Sequence, residues 1–184
     1  MSVVFLAGVH GVGKGFIGAP VAQSLGVSHF TASQLIREEK GQATWGADKK
    51  TSALDDNQLA LIRAVNRVRL THYSFLLDGH FALRNAEGTL TLLETEVFRA
   101  LNLTGVILLT EESQVIASRL AMRDKAEQNV VAISQLLKAE SAHAHAVCLE
   151  LGRPLAVIHA PTEVSVADAV KKLIEFASMS NTKS

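Results

Sequence analysis

Gly8-Val9-His10-Gly11-Val12-Gly13-Lys14 carry the spacing G-x-x-x-x-G-K directly after an apolar run, Val3-Val4-Phe5-Leu6-Ala7. Residues of these types in this order suit one task, holding a string of phosphates. Glycine lets the backbone curl until successive N–H groups converge on one anion, a geometry that side chains obstruct. A helix opening at the loop adds its unpaired N–H groups and its positive dipole end. Lys14 supplies a mobile point charge for the outer phosphates. An ordinary glycine-rich turn between strand and helix needs neither the lysine nor the full spacing. The pattern therefore predicts binding of ATP with Mg²⁺ by a P-loop made of Gly8, His10, Gly11, Val12, Gly13, Lys14, Gly15 and Phe16.

Leu76-Leu77-Asp78 reads as an apolar strand that delivers a carboxylate to the edge of a sheet. Phosphoryl transfer uses such an acid, because the Mg²⁺ that bridges the terminal phosphates is steadied by Asp, often through water. The competing reading is an Asp that ends a strand and caps the next turn. His80 follows, placed to orient Asp78, to touch an acceptor or to cover the site. Thr31-Ala32-Ser33-Gln34-Leu35-Ile36-Arg37-Glu38-Glu39 reads as a capped helix, with hydroxyls at its start and glutamates one turn inward. Arg37 then projects above the sheet, where its guanidinium fork suits an acceptor phosphate or carboxylate. A solvent-facing Arg37 paired with neighbouring glutamates is the equal alternative. Arg119 and Arg123 stand four apart, hence on one helix face. Near the phosphates they would neutralise charge that develops in transfer; otherwise they belong to a solvated helix face.

These residues need a scaffold, and the chain supplies one. Five short apolar runs read as buried strands: Val3-Ala7, Ser28-Phe30, Ser74-Leu77, Val106-Leu109 and Leu155-Ile158. Between them lie segments of helical spacing. One carries Leu59, Ile62, Val65 and Val68, and another carries Val115, Ile116 and Leu120. A third starts at Ile133, Leu136 and Leu137 and stops near Gly152. A fourth carries Val166, Val170, Leu173 and Ile174, with Thr162 or Ser165 at its N-cap. Strands alternating with helices predict an α/β fold of three α/β/α layers, a five-stranded parallel sheet with helices on both faces. Ligands of such sheets gather at the carboxyl ends of the strands, where the P-loop, Thr31-Ser33 and Asp78-Gly79-His80 all fall. Two stretches interrupt the alternation. Gly41 to Leu54 is polar and holds the only tryptophan, Trp45, which is expected on an acceptor-side cover. His80 to Leu93 is expected to fold as a small hairpin turning at Asn85-Ala86-Glu87-Gly88.

Length and composition bound the rest. With 184 residues the chain fits a single domain, expected over 1–178 with a disordered polar tail at 179–184. An acceptor-side insertion is expected at about 31–70 and a short, sparsely charged lid at about 119–132. A formal net charge of zero argues against a broad electrostatic footprint for nucleic acid or an anionic membrane. No apolar run approaches a membrane span, and a cytoplasmic protein is the default expectation. The single Cys148 lies among apolar residues and reads as a buried structural thiol. His143 and His145 are two apart on a helix and point to different faces, which disfavours a shared metal.

Taken together, these elements resemble the P-loop nucleoside monophosphate kinases, the adenylate kinases in particular, over nearly the whole chain. Gly13-Lys14-Gly15 is similar to their Gly-Lys-Gly, Ala32-Ser33-Gln34-Leu35-Ile36-Arg37 to their acceptor helix, and Leu77-Asp78-Gly79-His80 to the Asp-Thr-His of the archaeal type. Arg119-Leu120-x-x-Arg123 resembles the start of their lid. The resemblance implies a kinase that transfers the γ-phosphoryl of ATP to a nucleotide or related acceptor. Lys14, Asp78, Arg119 and Arg123 would be catalytic, and Ser33, Arg37 and His80 would bind the acceptor. Phe16 departs from it, standing where the family carries a threonine that helps hold Mg²⁺. That departure motivates a second expectation, a nucleotide-binding regulatory protein with weak transfer or none.

Overall fold

The structure, a computed structural model, describes residues 1–42, 53–85 and 88–181. In chain order the first elements are β1 (Ser2–Ala7), α1 (Lys14–Ser24), β2 (Ser28–Thr31), α2 (Ala32–Gln42), α3 (Ala53–Arg69) and β3 (Ser74–Gly79). Then come β4 (Ala82–Arg84), β5 (Leu90–Leu92), α4 (Thr95–Leu101), β6 (Gly105–Thr110), α5 (Ser113–Asp124), α6 (Val130–Leu151), β7 (Leu155–His159) and α7 (Glu163–Asn181).

All five apolar runs are strands of one parallel sheet, ordered β2-β3-β1-β6-β7. Alternate residues of each strand feed opposite faces. Val3, Phe5, Phe75, Leu77, Val106 and Leu108 pack under α2, α3, α4 and α6. Val4, Leu6, Leu76, Ile107 and Leu109 pack under α1, α5 and α7. Burial on both faces explains why β1 is apolar at nearly every position rather than at every second one. The chain leaves β1 for one side of the sheet and later returns to the other, so the strand order reverses beside β1, with β3 as its neighbour. A crevice opens there at the carboxyl ends. Register pairs Leu6 with Asp78 and Ala7 with Gly79, which brings the P-loop and the Asp78 carboxylate to one edge.

Several local expectations meet the structure in instructive ways. The small hairpin forms from β4 and β5, with Leu83 opposite Thr91. Gly152 ends α6 in the left-handed conformation, φ 59°. Thr162 caps α7, its hydroxyl accepting from the Ser165 N–H at 3.2 Å. α1 runs to Ser24 with Pro20 inside it. Leu59 is exposed, whereas Leu61, Ala64, Val65 and Val68 are buried. A repeat of three drifts around a helix of 3.6 residues per turn, so its first member leaves the buried stripe. α7 continues to Asn181, with the Ser178 hydroxyl donating to the Ile174 carbonyl at 3.1 Å. Trp45 and the centre of its polar stretch lie outside the described residues.

Candidate active site

The loop after β1 has the backbone that its glycines predict. Gly8, Gly11 and Gly13 adopt φ of 143°, 83° and 108°. At Gly8 a Cβ would stand 2.7 Å from the Leu109 carbonyl oxygen, so the loop passes β6 more closely than any side chain allows. α1 opens on Gly13 with no side-chain cap and no acid in its first turn. Its first N–H groups and positive dipole end are therefore left for a ligand. Val12 points into the core and contributes backbone alone.

Lys14 is 7 % exposed and folds back over the loop. Its Nζ donates to the Gly8 carbonyl at 2.5 Å and the Val9 carbonyl at 3.3 Å, and stands 3.8 Å from Asp78 Oδ1. Burial pushes the Lys14 ammonium down from its ordinary range, and the Asp78 charge opposes that shift. Burial likewise pushes the Asp78 carboxyl up, against Lys14 and His29. The attraction between the two side chains at this separation opposes the burial of both.

Three residues that sequence patterns did not single out complete this end. Glu140, from the middle of α6, is 1 % exposed. Its Oε1 accepts from the Gly8 N–H at 3.0 Å, and its Oε2 accepts from Phe81 at 2.8 Å and Ala82 at 2.6 Å. One carboxylate thus ties the phosphate loop to the segment that follows His80. Burial holds its carboxyl above the usual range, in spite of the three donors. The signal was present: Glu140 interrupts an apolar stripe running through Ile133, Leu136, Ala144 and Val147. His29, the second residue of β2, approaches Asp78 Oδ2 at 4.0 Å, and its Nε2 is buried without a hydrogen-bond partner among the described residues. Gln58 is the third, buried on α3 and facing the cavity described next.

A cavity of about 640 Å³ opens from the P-loop. His10, Gly11, Gly13, Lys14, Gly15 and Phe16 wall one end, together with Asp78, His80 and Arg123. Thr31 and Ser33 line it from the start of α2, their hydroxyl oxygens 3.3 Å apart. His10 and His80 pack at 4.3 Å between centroids with their rings tilted by 45°, and burial, with Lys14 next, pushes the His80 imidazole down to about 2. His80 is therefore a neutral wall of the site. Phe16 is 82 % exposed at the mouth.

The arginines divide. Arg123 reaches the cavity lining while pairing through two bonds with Asp124, at 2.6 and 2.9 Å. Arg119 instead braces the loop, donating to the Val12 carbonyl at 3.2 Å and to Glu111 at 3.2 Å. Arg37 is exposed and faces an adjoining shallow depression that it shares with Ser33, Ile36, Lys40 and Asn57. His143 donates from Nε2 to the Leu93 carbonyl at 2.5 Å, and His145 donates from Nδ1 to the Ser141 carbonyl at 2.8 Å. Neither joins a metal-ligand cluster among the described residues. No helix among them is long and apolar enough to cross a membrane. Cys148 is buried.

The comparisons with known proteins agree with this geometry. Solved structures of kindred fold include a shikimate kinase from Acinetobacter baumannii in complex with shikimate, at 19% identity and TM-score 0.60, covering 96% of this chain and 94% of that one. A gluconokinase from Sinorhizobium meliloti 1021 aligns at 14% identity and TM-score 0.56, covering 100% and 97%. A shikimate kinase from Aquifex aeolicus vf5 aligns at 11% and 0.56, covering 96% and 98%. At such identities the likeness shows the fold alone, that of P-loop kinases in general. No curated protein matches in sequence. The family model described as AAA domain matches residues 7–136, a span holding the phosphate loop, Asp78 and both α5 arginines. The chain belongs to that family of P-loop proteins and has a kinase-like α/β fold.

Proposed function

We propose that this protein is a small-molecule kinase that moves the γ-phosphoryl group of ATP to an acceptor held in the cavity. The observation that carries the reading is the meeting of Lys14 and Asp78, 3.8 Å apart, where the phosphate loop opens into an enclosed space large enough for a substrate. The glycine backbone and the uncapped start of α1 bind the phosphate chain. Lys14 follows the outer phosphates, exchanging its contacts with the Gly8 and Val9 carbonyls for phosphate oxygens. Asp78 would hold the magnesium of MgATP through water, with the Thr31 and Ser33 hydroxyls in the same cavity, and receives the proton of the attacking group. Magnesium supplies charge neutralisation when bound. Arg123 sits at the lining to offset charge developing in transfer, and Arg119 keeps the loop in shape from behind. His80 and the apolar walls exclude water, which strengthens every charge interaction inside.

The adenylate kinase resemblance suggests a nucleotide acceptor, whereas the gluconokinase and shikimate kinases of like fold suggest a sugar acid or shikimate. The test is acceptor-dependent ADP formation with a panel of AMP, gluconate, shikimate and uncharged alcohols, in the natural protein and in Lys14→Ala. Loss of a preorganised charge at the phosphates should lower turnover by about 10²-fold or more. Unchanged turnover in a folded Lys14→Ala protein would refute the assignment.

The exposed Phe16 favours a second reading, nucleotide binding with weak transfer, because no oxygen stands at the start of α1 where a metal-binding hydroxyl is expected. Phe16→Thr separates the two. A large rise in turnover indicates a chain that has drifted from catalysis, and an unchanged rate indicates that Asp78 suffices.

A further inference from the structure

Away from the P-loop end, the described walls of the cavity are mostly apolar side chains. Phe5, Ile36, Leu83, Leu93, Val97 and Phe98 line it, drawn from β1, α2, the small hairpin and α4. The aromatic rings lock together beneath it. Phe5 meets Phe81 and Phe98 edge-on at 5.4 and 5.7 Å, and Phe81 stacks on Phe98 at 4.3 Å. Such a packed, rigid floor offers contact area and no hydrogen bonds. The polar groups that interrupt it are few and uncharged: Thr31, Ser33, Asn57, Gln58 and the His10–His80 pair. Charged side chains among the described lining residues are Lys14, Asp78 and Arg123. The first two neutralise one another beside the phosphates, and Arg123 is paired with Asp124. The cations Arg37 and Lys40 face the adjoining depression and do not line the cavity.

Among the described residues, an acceptor phosphate or carboxylate placed against these apolar walls would be stripped of water with no unpaired cation beside it, and a sugar would leave most of its hydroxyls unpaired. A compact apolar body with one hydroxyl loses nothing by entering. Resting on the kinase reading above, we infer that the acceptor is an uncharged alcohol with an apolar body, seated with its hydroxyl toward Asp78 and its hydrocarbon part against Phe5, Val97 and Phe98. In the transfer step the hydroxyl oxygen bonds to the γ-phosphorus of ATP. The bond from that phosphorus to the bridging oxygen breaks, its electron pair leaving with ADP, and the hydroxyl proton passes to the Asp78 carboxylate. Thr31, Ser33, Asn57 and Gln58 are the groups available to orient a single polar substituent.

Calorimetric titration of the full chain loaded with MgADP tests this, with 4-phenyl-1-butanol and geraniol as uncharged probes and gluconate, shikimate and AMP as anionic ones. At least one alcohol should bind ten times or more tightly than every anion. Leu83→Lys, at a half-buried position of the hairpin, should weaken alcohol binding at least tenfold and tighten shikimate binding, with an unchanged circular-dichroism spectrum confirming the fold. Tighter binding of any anion than of both alcohols would overturn the inference, as would no heat from either alcohol at millimolar concentration. Failure to take up MgADP at all would instead sink the kinase reading on which it rests.

Discussion

Glu140→Gln tests whether one buried carboxylate sets the shape of the site. The natural side chain accepts three backbone N–H groups, from Gly8 at 3.0 Å and from Phe81 and Ala82 at 2.8 and 2.6 Å. Glutamine is nearly isosteric but has one acceptor oxygen. Its best orientation leaves the carbonyl on Phe81 and Ala82 and turns the amide NH₂ toward Gly8, donor against donor. Stranding the buried Gly8 N–H costs about 1–3 kcal/mol, and the two remaining bonds weaken because their acceptor is no longer charged. Against this stands relief, since a neutral amide is easier to bury than the carboxylate whose burial already raises its pKa. The net expectation is a loss of about 2–3 kcal/mol, which in a chain of this length lowers the Tm by roughly 4–12 °C. Gly8 opens the phosphate loop, so the variant should also raise the KM for MgATP, by about tenfold if ~1.4 kcal/mol of loop order is lost. Thermal denaturation followed by circular dichroism reads the first number and steady-state kinetics the second. A Tm within 1 °C of the natural protein with an unaltered KM, or a higher Tm, would refute the clamp.

Other expectations follow from the same geometry. His80, pushed by burial to about 2, refuses a proton that the unfolded chain accepts at about 6.5. Between those values the unfolded state binds more protons, so this group's stability is complete above the unfolded pKa and falls as pH drops, by up to ~1.4 kcal/mol per unit. His80→Gln should therefore flatten the acid limb of a denaturant-midpoint series between pH 6.5 and 4.5; an unchanged slope contradicts the burial. Gly8→Ala places a Cβ against the Leu109 carbonyl at a φ that alanine resists, so it should cost about 2 kcal/mol or more and abolish stabilisation by MgATP in a thermal-shift assay. Burial pushes the Cys148 thiol up to about 11. Native protein at pH 8 should resist iodoacetamide for hours, with the thiol alkylated promptly in guanidinium, and fast native labelling would place it at the surface.

The fold was readable because each strand is buried on both faces and so writes itself as an unbroken apolar run. β1, β3 and β6 needed no alternation to be found, and their parallel order followed from the helices between them. The phosphate loop was readable for a related reason, since φ of 83° at Gly11 and 108° at Gly13 admits almost nothing but glycine. The acceptor side obeys no such restriction. Leu61 and Val97 use the same residue types whether they fill core or line a cavity, and both are buried in the core while lining it. Arg37 illustrates the converse, a residue whose chemistry suits an acceptor but whose place on α2 turns it to the adjoining depression. Glu140 lies between the two cases. A lone charge on a buried stripe of α6 announces that something must satisfy it, while the three N–H groups that do so come from Gly8, Phe81 and Ala82, remote in the chain and anonymous as backbone. What the chain encodes in side chains can be read ahead of the fold; what it encodes in main-chain donors appears only when strands set their register. The proposed catalysis would rest on the second kind, because Lys14 and Asp78 meet at the phosphate loop only through the register of Leu6 against Asp78.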